Sequence, residues 1–242
     1  MNSFLTHAAF DVLAWLAAGV AALWVARAAN VAFPVPEPLR LTYIAALVLG
    51  AAAGAYLFGS ANLWLSGQAG VARSIEGGIA GAIVAIELYK RAAGIRSRTG
   101  ARFALPFAVG VAVGRIGCYL AGLDDFTYGT PTALPWGHDF GDGIRRHPVQ
   151  LYESAAMVLF AAVYVWRVAS GSRFWIDQGF YLAVGFYGLQ RFVWEFMKPY
   201  GALAGPLTLF HVLSAAVLIY AIVMMATSPK PEGDATDERA FA

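Results

Sequence analysis
Two arginines, Arg115 and Arg191, stand inside long apolar stretches, and carboxylates and tyrosines recur around both at spacings that bring side chains together. Tyr187, Arg191 and Glu195 fall at i, i+4 and i+8, one face of one helix. Arg115 opens the stretch Gly114–Glu153, which leaves one apolar segment, crosses a loop rich in Gly, Pro and Asp, and enters the next segment with Tyr152 and Glu153. Glu76 stands at the top of another apolar segment, beside Gly77 and Gly78. A charge at bilayer depth costs at least about 2.5–3.5 kcal/mol, so such residues face a cavity or a partner. Arginine's planar fork grips phosphate oxygens in pairs, and the nearest phosphate at that depth is a phospholipid headgroup. The expectation is a polar pocket open to one leaflet. The plainer reading pairs Arg191 with Glu195, and Arg115 with Glu153 or Glu76, only to hold helices together.

The elements that must position these groups are apolar helices. Of 242 residues, 59% are hydrophobic and 13% charged, too apolar for an ordinary soluble domain. The excess falls in seven segments of about membrane-spanning length: about Phe10 to Asn30, Leu41 to Leu65, Ser74 to Ala93, Phe103 to Ala121, Pro148 to Val168, Trp175 to Met197 and Pro206 to Ala226. The expected fold is all-α, a polytopic membrane protein of about seven transmembrane helices. Residues 1–227 form a single domain, and residues 228–242 a polar, disordered tail. The first segment lacks a basic leader and cleavage site, so it is expected to stay in the mature chain.

Lys90, Arg91, Arg96, Arg98 and Arg102 cluster after the third segment, which places that loop in the cytoplasm. Alternation then puts the N-terminus outside and the C-terminus inside. Arg27, Arg40, Arg167, Arg173, Lys230 and Arg239 join the cytoplasmic side, leaving Arg73, Arg145, Arg146 and Lys198 outside. Arg115, Glu153, Glu76, Arg191, Glu195 and Asp11 all fall in the outer half, next to the 122–147 loop. A net charge of +2 without a basic, aromatic-interleaved patch gives no footing for nucleic acid, and one cysteine excludes an internal disulfide or a multi-Cys metal site.

Other reactive types are present. His147, before Pro148, is a candidate base or a cap on the fifth helix. Cys118, three residues past Arg115, reads as a small buried residue, with a nucleophile as the sharper alternative. His138, Asp139 and Asp142 read as turn formers rather than metal ligands. His211 reads as an interhelical hydrogen-bonding residue, and His7 as lying just outside the membrane. Trp136 fits an interfacial belt. No metal and no cofactor are expected.

At these residues the chain resembles the prolipoprotein diacylglyceryl transferase family. Gly114-Arg115-Ile116-Gly117 is similar to the start of its G-R-x-G-N signature. Pro135-Trp136 and Arg146-His147-Pro148-Val149-Gln150-Leu151-Tyr152-Glu153 resemble its P-W and R-H-P-x-Q-L-Y-E elements, and Tyr187, Arg191, Phe192, Glu195 and Phe196 its Y-x-x-x-R-F-x-x-E-F motif. The resemblance spans roughly Ser74 to Pro199. It implies a multi-pass enzyme of the bacterial inner membrane that moves a diacylglyceryl group from phosphatidylglycerol to the lipobox cysteine of a prelipoprotein. Arg115 and Arg191 would then hold phosphate, while Tyr152, Glu153, Tyr187, Glu195, Gly77 and Gly78 line the donor site. The chain departs from the family pattern at S-F-H-G-G, where Glu76 replaces the histidine implicated as base, and after Gly117, where Cys118, Ala121 and Leu123 replace two asparagines and a glutamate. Glu76 or His147 is therefore the expected base. The departures leave open another acceptor in the envelope, or an accessory phospholipid-binding protein that performs no transfer.

Overall fold
The computed structural model describes residues 3–228, so the remainder of the expected tail lies outside the described residues. Seven α-helices run through them: α1 (Ser3–Ala28), α2 (Arg40–Leu65), α3 (Ile75–Ala92), α4 (Ala104–Ala121), α5 (Val149–Ala169), α6 (Arg173–Glu195) and α7 (Leu209–Ala226). Two small hairpins sit in connecting segments, β1 (His138–Asp139) with β2 (Arg145–Arg146) and β3 (Ala202–Ala204) with β4 (Leu207–Thr208).

The helix boundaries follow local chemistry. Pro34, Pro36 and Pro38 separate α1 from α2. Ser74 caps α3 by accepting a hydrogen bond from the Gly77 amide at 3.1 Å. Gly122, with φ of +73°, ends α4 in a conformation that disfavours a side chain. Thr208 and His211 form a reciprocal capping box at the start of α7. His211 thus stabilises its own helix end, a correction to the interhelical role expected for it.

Five helices, α1, α2, α4, α5 and α7, are long and apolar enough to cross a membrane. The other two, α3 and α6, carry Glu76 and the Arg191/Glu195 pair, and these charges lower their mean hydropathy while facing inward. The lipid-type surface is plain on α1 and α2, where Trp15 is 74% and Leu41 79% exposed. The main apolar core lies between α1, α4, α5 and α6, around Val25, Ala108, Met157, Tyr164 and Ala183.

Helices α2 and α3 pack almost backbone to backbone. A Cβ on Gly54 would come within 2.2 Å of the Gly77 carbonyl oxygen, and one on Gly81 within 2.2 Å of the Gly50 oxygen. Small residues four apart on both helices permit this approach. Gly77 therefore faces α2, and Gly78 lies against Ala51 and Ala55. The glycines expected to meet a lipid instead set the position of the α3 N-terminus, and with it Glu76.

Candidate functional site
Helix ends, one from each helix, gather at one end of the bundle, in strict alternation of start and end. They are the start of α1 (His7), the end of α2 (Asn62), the start of α3 (Glu76), the end of α4 (Arg115), the start of α5 (Glu153), the end of α6 (Arg191, Glu195) and the start of α7 (Phe210). Arg191 is the hub, 2% exposed. Its Nε donates to Glu76 Oε2 at 3.1 Å, and its Nη1 to Glu153 Oε1 at 2.8 Å, while Nη2 lies 2.8 Å from Glu195 Oε2. Arg115 Nε lies 2.5 Å from Glu153 Oε2, and Lys198 Nζ 2.8 Å from Glu153 Oε1. Three cations thus face three carboxylates, and the cluster is neutral as a whole. Ser214 donates to Glu76, and Thr208 to Glu195 Oε1 at 2.6 Å, so the carboxylates are also hydrogen-bonded.

Lys198 is the member that sequence reading left among the outer-loop charges. The turn after α6 brings it back inward, where it also donates to the Thr127 carbonyl at 3.0 Å. Burial pulls its ammonium down to about 8, and the Glu153 carboxylate opposes that fall.

Beside the cluster lies a cavity of about 80 Å³. Arg115, Arg191, Asn62, Cys118, Asp125 and Tyr200 line it, with Arg73, Ser74 and Phe210 at its walls. Arg191 has all its nitrogens committed to carboxylates, whereas Arg115 Nη1 makes only a 4.0 Å contact with Cys118 Sγ. Arg115 is thus the arginine with donors left for a ligand. Asn62, 4% exposed, holds a buried Oδ1 without a hydrogen-bond partner. A buried acceptor in that condition is costly until a donor meets it.

The remaining candidates lie elsewhere. Neither Glu76 nor His147 lines the cavity. His147 Nδ1 lies 3.2 Å from the Tyr152 hydroxyl, which also accepts from Trp136 Nε1 at 2.8 Å. These three form a separate cluster at the start of α5, with Trp136 still 58% exposed. Tyr187 is fully buried under Arg115 and Arg191, with its hydroxyl unpaired. Asp139 Oδ1 accepts from the amides of Gly141, Asp142 and Gly143, and Asp142 binds Arg146 through two 2.7 Å contacts, which is the turn chemistry expected of that loop. That pairing holds the Asp142 carboxyl below the usual carboxylate range. His7 lies in the first turns of α1, which begins at Ser3, with Nε2 2.7 Å from Asp125 Oδ1.

The charged cluster and its small cavity sit among apolar helices long enough to cross a membrane, the architecture of a membrane protein. The family comparison agrees: the model described as prolipoprotein diacylglyceryl transferase matches residues 6–227, and the chain belongs to that family. A protein of Geobacter sulfurreducens is 31% identical over 196 residues, covering 74% of this chain and 72% of its own. One of Cupriavidus pinatubonensis is 31% identical over 211 residues (80% and 74%), and one of Bordetella avium 29% over 217 residues (83% and 80%). Each is named phosphatidylglycerol–prolipoprotein diacylglyceryl transferase.

Proposed function
We propose that this chain is a transferase that moves the diacylglyceryl group of phosphatidylglycerol to the cysteine thiol of a prolipoprotein, at the outer face of a bacterial inner membrane. The observation that carries the reading is Arg115, buried at 4% exposure on the cavity wall with donors to spare, in a chain of this family. Arg115 takes the headgroup phosphate and stabilises the charge that grows on it as the carbon–oxygen bond breaks. Asn62 Oδ1 accepts from a hydroxyl of the headgroup glycerol. Arg191, Glu153, Glu195 and Lys198 hold Arg115 at its depth, and Tyr187 supports both arginines from beneath. A cavity of this size takes a headgroup fragment, so the acyl chains lie along the apolar helix surfaces outside it. The accessory, non-transferring reading is the less favoured one, since the similar relatives are named as transferases.

Seven spans over residues 1–227, with the N-terminus outside and the C-terminus in the cytoplasm, complete the proposal. The strict alternation of helix ends at the site supports seven crossings, and the Lys/Arg surplus after α3 supports the orientation. Glu76 acts as counter-ion to Arg191 rather than as base, because its oxygens are taken by Arg191 and Ser214.

Two substitutions test these roles. Arg115→Ala is expected to cut release of glycerol phosphate from phosphatidylglycerol by about 10²–10³-fold, with the protein still folded. Wild-type turnover would remove Arg115 from the mechanism. Glu76→Gln is expected to lower unfolding stability by about 1.5–3 kcal/mol while transfer persists. A folded Glu76→Gln protein with no turnover at all would return the base to Glu76.

A further inference from the structure
Asp125 on the cavity wall belongs to a proton-handling pair that the transferase reading leaves unused, its partner His7 lying behind it. Asp125 lines the cavity from the turn after α4. Its Oδ1 faces His7 Nε2 at 2.7 Å, and Thr127 donates to its Oδ2. Both oxygens are thus oriented, and Asp125 in turn fixes the imidazole. Cys118, also on the cavity wall, completes a group in which one donor atom each from His7, Cys118 and Asp125 lie within 4.8 Å of one another. His7 Nδ1 makes no hydrogen bond among the described residues. The His7 side chain is 21% exposed, which gives it a route to water from the protein's edge.

Other proton acceptors near the cavity are spent. Glu76, Glu153 and Glu195 each neutralise a buried cation, and His147 is bonded to Tyr152 outside the cavity. Deprotonating a thiol at neutral pH needs a base near its own site, free on one side and stabilised on the other once charged. His7 does not itself line the cavity, but it meets both conditions directly behind two wall residues, Asp125 and Cys118.

We propose that His7, held by Asp125, is the base of the transfer step. The proposal rests on the transferase reading above. The acceptor thiol enters beside Cys118 and gives its proton to His7 Nδ1. The sulfur electron pair forms the bond to the glyceryl carbon that carries the phosphate, and the carbon–oxygen bond breaks with its pair on the leaving glycerol phosphate, held by Arg115. The imidazolium, stabilised by Asp125, releases its proton to water. His7 touches the substrate and is the catalytic residue; Asp125 is a positioning residue. The other groups that face His7 are Asp11 on its own helix, Arg73 from the segment before α3, and Cys118 of α4.

The test uses the full chain in phosphatidylglycerol micelles with a lipobox peptide, and reads glycerol phosphate release, phosphatidylglycerol binding and the pH–rate profile. His7→Gln is expected to lose about 10²–10⁴ in turnover with lipid binding unchanged, and to lose the acid limb of the profile. Added imidazole should restore part of the turnover of His7→Ala, a rescue that a purely structural histidine would not show. Asp125→Asn should lower turnover and shift the acid limb without loss of lipid binding. Turnover of both His7 variants within a few-fold of wild type, with no response to imidazole, would overturn the proposal. So would wild-type turnover that a chelator abolishes and zinc restores, because these three residues would then be metal ligands. An inactive wild type that still binds lipid would strike the transferase reading instead, which keeps the two failures apart.

Discussion

Arg191→Ala should be the most damaging single substitution in the chain. It leaves Glu76, Glu153 and Glu195 buried at 0–1% exposure without the guanidinium that all three share. Removing one partner of a buried pair costs about 3–5 kcal/mol, because the other charge stays buried and unpaired. With three carboxylates stranded, the variant should unfold at markedly lower temperature in lipid micelles and lose turnover with it. Arg191→Lys keeps one charge but cannot reach three carboxylates at once, since an ammonium lacks the planar fork. It should fall between the two. A stable, inactive Arg191→Ala protein would mean that the arginine serves the substrate rather than the bundle.

Glu153→Gln is the complementary experiment. Glu153 is the one carboxylate that touches Arg115, Arg191 and Lys198, so the amide leaves three cations facing two carboxylates. A loss of about 2–5 kcal/mol is expected for truncating a buried, hydrogen-bonded charge. Its pH dependence follows from Lys198, whose ammonium already sits at about 8 with Glu153 present and falls further without it. A lysine whose folded-state value lies below its unfolded one contributes stability as pH rises above the folded value and loses it as pH falls. Glu153→Gln should therefore be less destabilised at pH 9 than at pH 6, where Lys198 must carry its charge. An equal deficit at both pH values would remove Lys198 from the cluster's charge balance.

The seven helices were legible because apolar length and Pro or Gly punctuation fix them locally, and most boundaries agree within a few residues. The exception is α1, which starts at Ser3 rather than about Phe10. The added turns carry His7, matched by Asp125, and Asp11 is matched by Arg73. Such partners lie far along the chain, and periodicity does not reveal them. The same limit applies at the site. The spacing of Arg191 and Glu195 gave one ion pair, and the depth of Arg115 left Glu153 and Glu76 as its alternatives, of which the structure has Glu153. That Glu76, 115 positions away, closes on Arg191 depends on the glycine seam between α2 and α3. The seam was visible as glycines, but its role was read as room for a ligand. Asn62 and Asp125 carried no local signal of a shared cavity.

The most direct measurement incubates the purified full chain with phosphatidylglycerol and a lipobox peptide, and follows peptide mass against glycerol phosphate released. The expected result is a peptide heavier by one diacylglyceryl unit for each glycerol phosphate formed. Peptide of unchanged mass, from protein that demonstrably binds phosphatidylglycerol, would contradict the transferase account and leave a lipid-binding protein in its place.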